Sequence, residues 1–205
     1  MMKNIIFDLG NVLLKFNPIE YLHTKIQSKE EVQQIHEIIF NSEEWLLLDR
    51  GVITEEEAVN KICSRSAENS EIIKTIMHNW YQILTPIEDT VEVLKELKHK
   101  GHRIYFLSNF HLLAYEDVIK RYDFFQYFDG GILSCKEKLM KPEKEIYDKL
   151  IEKYKIKPEE SIFIDDTMVN VESAIKLGFE AILFTNSKDL KKELNQYKML
   201  CLVNL

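Results

Sequence analysis

Five short apolar runs, at 4–7, 103–107, 131–133, 161–164 and 180–184, restrict this chain to a small set of folds. Their apolar residues are consecutive rather than alternating, which predicts strands buried on both faces. A sixth candidate lies at 199–203. After Leu84 the runs alternate with helical patterns. Val91, Leu94 and Leu97 share a helical face, with Gly101 as a stop. Tyr147, Leu150, Ile151 and Tyr154 repeat at helical spacing behind Pro142 and Glu143, and Val171, Ala174 and Ile175 repeat likewise before Gly178. Strand and helix in alternation predict an α/β fold, a doubly wound parallel sheet covered on both sides.

Residues 17–83 break that rhythm. No strand pattern is evident there, whereas Ser28…Glu31 and Thr54…Glu57 each fit a capping box ahead of a helical pattern. Ile73, Ile76, Met77 and Trp80 form another helical stripe, read as packing within a bundle. The expected organisation is therefore an α/β core from 1–16 and 84–205 with an α-helical unit, 17–83, inserted after the first strand.

Ligands of open α/β sheets bind beyond the carboxyl ends of the strands. The first strand ends in Asp8, the second in Ser108-Asn109 and the fourth in Asp165-Asp166, while Lys141-Pro142 precedes the helix after the third. Singly, each is an ordinary turn or capping residue. Together they suit phosphoryl transfer, which depends on positioning and on neutralising oxygen charge. A Ser hydroxyl and a Lys ammonium hold phosphate oxygens, and an Asp carboxylate attacks phosphorus. Because carboxylate and phosphate repel, a hard cation is needed between them; Mg²⁺ takes one or two carboxylates with phosphate and water, a demand that Asp8 and Asp166 fit.

The order Asp8, Ser108, Lys141-Pro142, Asp165-Asp166 resembles the four motifs of the haloacid dehalogenase superfamily, across the chain from Asn4 to about Phe184. The helical insertion is similar in position to the small cap of the subgroup whose cap follows the first strand. The run Asp8-Leu9-Gly10-Asn11-Val12 resembles a branch containing bacterial sugar-phosphate phosphatases, glucose-1-phosphate phosphatases among them. The resemblance implies a Rossmann-like core and a Mg²⁺-dependent phosphatase acting on a small phosphorylated metabolite. It implies Asp8 as nucleophile and metal ligand, with the Gly10 carbonyl and Asp166 as further ligands. Ser108 and Lys141 would hold phosphate and Asn109 would line the site. Asp165 and Asn170 would stand around the metal ligands, a helix-capping role being as good an expectation for Asn170. Asn11, Trp45 and Arg50 are candidates for contact with the substrate.

One departure matters. Most phosphatases of that superfamily carry a second Asp, the general acid and base, two residues after the nucleophile, and Gly10 stands there with Asn11 behind it. An amide is no acid, and general acid catalysis contributes about 10²–10⁴-fold. Either another group supplies the proton, for instance from the cap, or the leaving group needs little help, as a glycosyl phosphate would. The same gap keeps open a metal-independent 2-haloacid dehalogenase, against which Asp165-Asp166 argues, and a non-catalytic phosphate-binding or regulatory protein. A receiver-type domain places its acidic pair early instead of last, and the 6 glycines form neither Gly-x-Gly-x-x-Gly nor a P-loop.

The net charge of −7 argues against nucleic acid or an acidic membrane as partner. Cys63, Cys135 and Cys201 include no Cys-x-x-Cys, and no stretch approaches the roughly 20 apolar residues of a membrane span. Reduced thiols, a cytoplasmic location and a monomer or weak homo-oligomer are the expectations.

Overall fold

The structure, a computed structural model, describes residues 3–197 and 199. In chain order the strands are β1 (Asn4–Phe7), β2 (Leu14–Lys15), β3 (Thr85–Pro86), β4 (Arg103–Ser108), β5 (Gly130–Leu133), β6 (Ser161–Asp165) and β7 (Glu180–Leu183). All five predicted strands form, and they make one parallel sheet in the order β5-β4-β1-β6-β7. The sixth candidate, at 199–203, falls outside the described residues except for Met199, which is buried and not in a strand.

The helices are α1 (Pro18–His23), α2 (Lys29–Ile39), α3 (Glu43–Arg50), α4 (Glu55–Arg65), α5 (Ser70–Met77), α6 (Glu88–His99), α7 (Leu112–Arg121), α8 (Ser134–Glu137), α9 (Lys144–Tyr154), α10 (Met168–Lys176) and α11 (Ser187–Gln196). Strand periodicity divides the core between the sheet's two faces. Ile6, Tyr105, Leu107 and Phe163 pack with Ile146, Tyr147 and Leu150 of α9. Ile5, Phe7, Ile104, Phe106, Ile162 and Ile164 pack with Val91, Leu94 and Leu97 of α6 and Leu190 and Leu194 of α11. Ile175 departs from the sequence expectation: it is 55% exposed, so the packed face of α10 is narrower than its apolar stripe.

Helices α1–α5 lie between β1 and β4 in sequence, and their apolar faces join the same hydrophobic cluster as Phe7 and Phe106. Thr54 and Glu57 close a full capping box on α4, whereas Ser28 accepts from Glu31 N and gives its hydroxyl to Glu30. Ile73, Ile76 and Met77 are buried on α5 as predicted; Trp80 is buried on the 3₁₀ turn that follows. The chain enters and leaves this insertion side by side, since β2 and β3 pair antiparallel, Leu14 with Pro86 and Lys15 with Thr85. At another contact with the core, α3 ends in Gly51 at φ +71, where a Cβ would stand 2.1 Å from the Cys135 carbonyl oxygen. Only glycine permits both that backbone and that approach. Cys63 and Cys135 are free thiols, and among the described residues no helix is long and apolar enough to cross a membrane.

Candidate active site

Parallel register sets the site. Phe7 pairs with Phe106 on one side and Ile164 on the other, so the residues just beyond, Asp8, Ser108 and Asp165, arrive at one edge of the sheet. Lys141 joins them from the loop between α8 and α9. Its side chain is 1% exposed, and Nζ lies 2.9 Å from Asp8 Oδ1 and 2.6 Å from Asp165 Oδ2. Asn109 holds that lysine's backbone, donating from Nδ2 to Lys141 O at 3.0 Å and accepting from Lys141 N at 2.9 Å. Its amide is thus spent on positioning Lys141. Asp165 is equally committed: Oδ1 accepts from Thr167 N at 2.8 Å and Asn170 Nδ2 at 3.0 Å. Asn170 therefore serves the acidic pair by a direct hydrogen bond.

Carboxylate oxygens of Asp8, Asp165 and Asp166 lie within 4.8 Å of one another. One ammonium faces three carboxylates. Burial opposes its charge, but Asp8 and Asp165 together hold the Lys141 ammonium above its usual value. Burial lifts the Asp8 carboxyl above the ordinary range against the pull of Lys141, and burial together with Asp165 lifts Asp166. Such a cluster is short of positive charge. With Asp165 occupied by Lys141, Thr167 and Asn170, the oxygens of Asp8 and Asp166 are the ones a hard divalent cation fits. Ser108 is 1% exposed; its hydroxyl lies near enough to Asp8 to favour the charged carboxylate, yet makes no well-formed hydrogen bond among the described residues. A buried orphan costs about 1–3 kcal/mol, and a bound anion would satisfy it.

Gly10 and Asn11 make the turn after Leu9. Asn11 has φ +52, a conformation Asn tolerates, and its Oδ1 accepts from Phe16 N at 3.1 Å. Its amide also favours the charged form of Asp166. Asn11 thus shapes the turn beside the acidic pair.

A cavity of about 150 Å³ opens between Gly10 and the insertion. Trp45 and Trp80 form its wall with ring centroids 4.6 Å apart, and Trp45 lies 4.3 Å from the His111 ring. Asp49, on the last turn of α3, completes the lining with Oδ1 3.4 Å from His111 Nε2. Burial, with the Asp8 charge adding, pushes the Asp49 carboxyl up to about 7; burial pushes His111 down to about 3, leaving it neutral. Trp45, a candidate from sequence, is in this wall. Arg50 is not: it pairs with Glu143 and donates to Lys138 O at 3.3 Å. Sequence reasoning missed Asp49 and gave Trp80 only a packing role. The available signal was the triplet Asp49-Arg50-Gly51, polar and closing an amphipathic helix.

A parallel α/β sheet with a carboxylate, an acidic pair and a lysine gathered at its carboxyl edge is the frame of a hydrolase. The chain belongs to the haloacid dehalogenase-like hydrolases, whose family profile matches residues 2–178. It is 27% identical over 194 residues to the sesquiterpene phosphatase astK of Aspergillus oryzae, covering 95% of each chain. It is 28% identical over 197 residues to the drimenol cyclase drtB of Aspergillus calidoustus, but spans 36% of that protein's length. Among solved structures, a HAD family enzyme of Bacteroides thetaiotaomicron in complex with magnesium and inorganic phosphate has a TM-score of 0.71 and 25% identity. That alignment covers 91% of this chain and 96% of the other.

Proposed function

We propose that this hydrolase is a Mg²⁺-dependent phosphatase of a small phosphorylated metabolite, with Asp8 as nucleophile and residues 17–83 acting as a cap over the site. The observation that carries this proposal is the cluster of Asp8, Asp165 and Asp166 around Lys141 beside the orphan Ser108 hydroxyl. Asp8, Asp166 and the Gly10 carbonyl would hold the cation, which supplies electrostatic neutralisation between carboxylate and phosphate. Lys141 and the Ser108 hydroxyl bind the phosphate oxygens. Asp8 attacks phosphorus to give an aspartyl phosphate, and water then hydrolyses it. Asn109 fixes Lys141, and Asn170 and Thr167 orient Asp165 so that it anchors the ammonium. The phosphatase relative and the magnesium–phosphate complex support the same chemistry. The acidic pair disfavours a metal-independent dehalogenase, for which a third clustered carboxylate has no use.

The test is a screen of phosphorylated metabolites with Mg²⁺ and with chelator, beside Asp8→Asn. Hydrolysis that needs Mg²⁺ and is lost in Asp8→Asn is expected. Turnover of 2-haloacids in chelator would overturn the proposal.

A further inference from the structure

The proposed chemistry lacks a proton donor, because the residue two after the nucleophile is Gly10. The cavity beside Gly10 holds one acid. Asp49 reaches it from the last turn of α3, the helix of the insertion that touches the core most intimately. Three consecutive residues fix this position. The Ser134 hydroxyl donates to the Asp49 carbonyl, Arg50 forks onto Glu143, and Gly51 lies against the Cys135 backbone. Ser134 Oγ in turn accepts from Phe110 N at 2.9 Å, which ties Asp49 to the loop that follows Ser108. The remaining walls, Trp45, Trp80 and Phe16, offer no acid, and the Asn109 amide is spent on Lys141.

We infer that Asp49, delivered by the cap, is the general acid and base of the reaction and replaces the carboxylate absent at Gly10. This rests on the phosphatase proposal. In the first step an Asp8 oxygen bonds to phosphorus, the bond from phosphorus to the leaving oxygen breaks, and the Asp49 proton passes to that oxygen. In the second, the Asp49 carboxylate takes a proton from water as the water oxygen bonds to phosphorus. The bond from phosphorus to Asp8 then breaks and returns Asp8 as a carboxylate. His111, packed against Trp45 and Trp80, brings Nε2 to 3.4 Å from Asp49 Oδ1 without a hydrogen bond between them. A carboxyl group kept partly protonated near neutral pH by burial is suited to both halves of this cycle.

The assignment makes proton donation conditional on cap docking, and it predicts which substrates depend on Asp49. Benzyl phosphate and 4-nitrophenyl phosphate are similar in size, but only the benzyl alkoxide needs a proton to leave. The experiment compares kcat/KM for the two with the native chain, Asp49→Asn and Asp49→Asn/Gly10→Asp in Mg²⁺. This parameter reports steps up to departure of the alcohol, so loss of the base in the second step does not blur it. Asp49→Asn is expected to lose about 10²-fold or more on benzyl phosphate and less than about 10-fold on 4-nitrophenyl phosphate. A Cβ at Gly10 meets nothing within 4 Å, so an Asp fits there, and the double variant is expected to recover benzyl phosphate hydrolysis. Equal losses on both substrates, or no loss, or a failure of Gly10→Asp to rescue would overturn the role of Asp49. Absence of Mg²⁺-dependent hydrolysis of both substrates by the native chain would instead overturn the phosphatase proposal.

Discussion

Arg50, the last residue of α3, forks onto Glu143, the residue that caps α9, with Nη1 3.2 Å from Oε2. Glu143 also accepts from Met140 N at 3.0 Å, so one carboxylate joins the insertion to the segment carrying Lys141. Both side chains are 34% exposed, which limits the pair's contribution to less than about 1 kcal/mol. Arg50→Ala is therefore expected to leave the melting temperature nearly unchanged while lowering kcat/KM several-fold. Steady-state kinetics beside a thermal melt separates the two effects.

Gly51 should be far less tolerant. Its φ of +71 and the 2.1 Å approach to Cys135 O exclude a Cβ without moving α3. Gly51→Ala is expected to cost roughly 1–3 kcal/mol from backbone strain alone, seen as a lower urea midpoint, and to depress activity more than Arg50→Ala does.

Removing Lys141 would strand Asp8 and Asp165 without their cation. Lys141→Met is expected to destabilise the chelator-treated protein by roughly 3–5 kcal/mol in urea unfolding. Added Mg²⁺ should restore part of that loss, because the variant still carries Asp8 and Asp166.

Ligation also predicts a melting shift without turnover. Mg²⁺ at about 100 times its dissociation constant should stabilise the native chain by about 2.7 kcal/mol. Asp166→Asn should show little of this shift at the same concentration. An equal shift in both proteins would show that the ion binds elsewhere.

The Asp49 carboxyl, its side chain 17% exposed, has a further signature in stability against pH. Its value rises from 3.8 to about 7 on folding. Between those values the folded chain keeps a proton that the unfolded chain has released. This group's contribution is whole below pH 4 and is lost as pH rises towards 7, a change of at most about 4 kcal/mol. His111 has the opposite sign: pushed down to about 3, it removes stability as pH falls below 6.5. The difference between Asp49→Asn and native protein isolates the first effect. Melts in chelator from pH 4 to 7 should show the variant gaining on native as pH rises, and a flat difference would contradict it.

The strands were legible because runs such as Ile5-Ile6-Phe7 and Ile162-Phe163-Ile164 are apolar on both faces, and their order placed Asp8, Ser108 and Asp165 at one edge. Spacing alone did not reveal that Asn109 is spent on the Lys141 backbone, because that hydrogen bond joins two loops remote in sequence. The insertion was harder still. Asp49 and Arg50 are neighbours in sequence, yet a helix turns about 100° per residue, and one side chain meets the cavity while the other meets Glu143. Which goes where depends on how α3 docks, and that is set by Gly51 and Ser134 through contacts no local pattern records.

The position of β1 in the sheet has a consequence for how the chain is made. Ile5 pairs with Ile104 on one side and with Ile162 on the other, so β1 leaves the ribosome with both its partners far behind it. Until they emerge, Ile5, Ile6 and Phe7 expose two apolar faces and two unpaired edges, while α1–α5 have local contacts with which to fold. Synthesis should thus yield a helical unit first, with β1 waiting. That interval is when this protein is most open to chaperones and to aggregation.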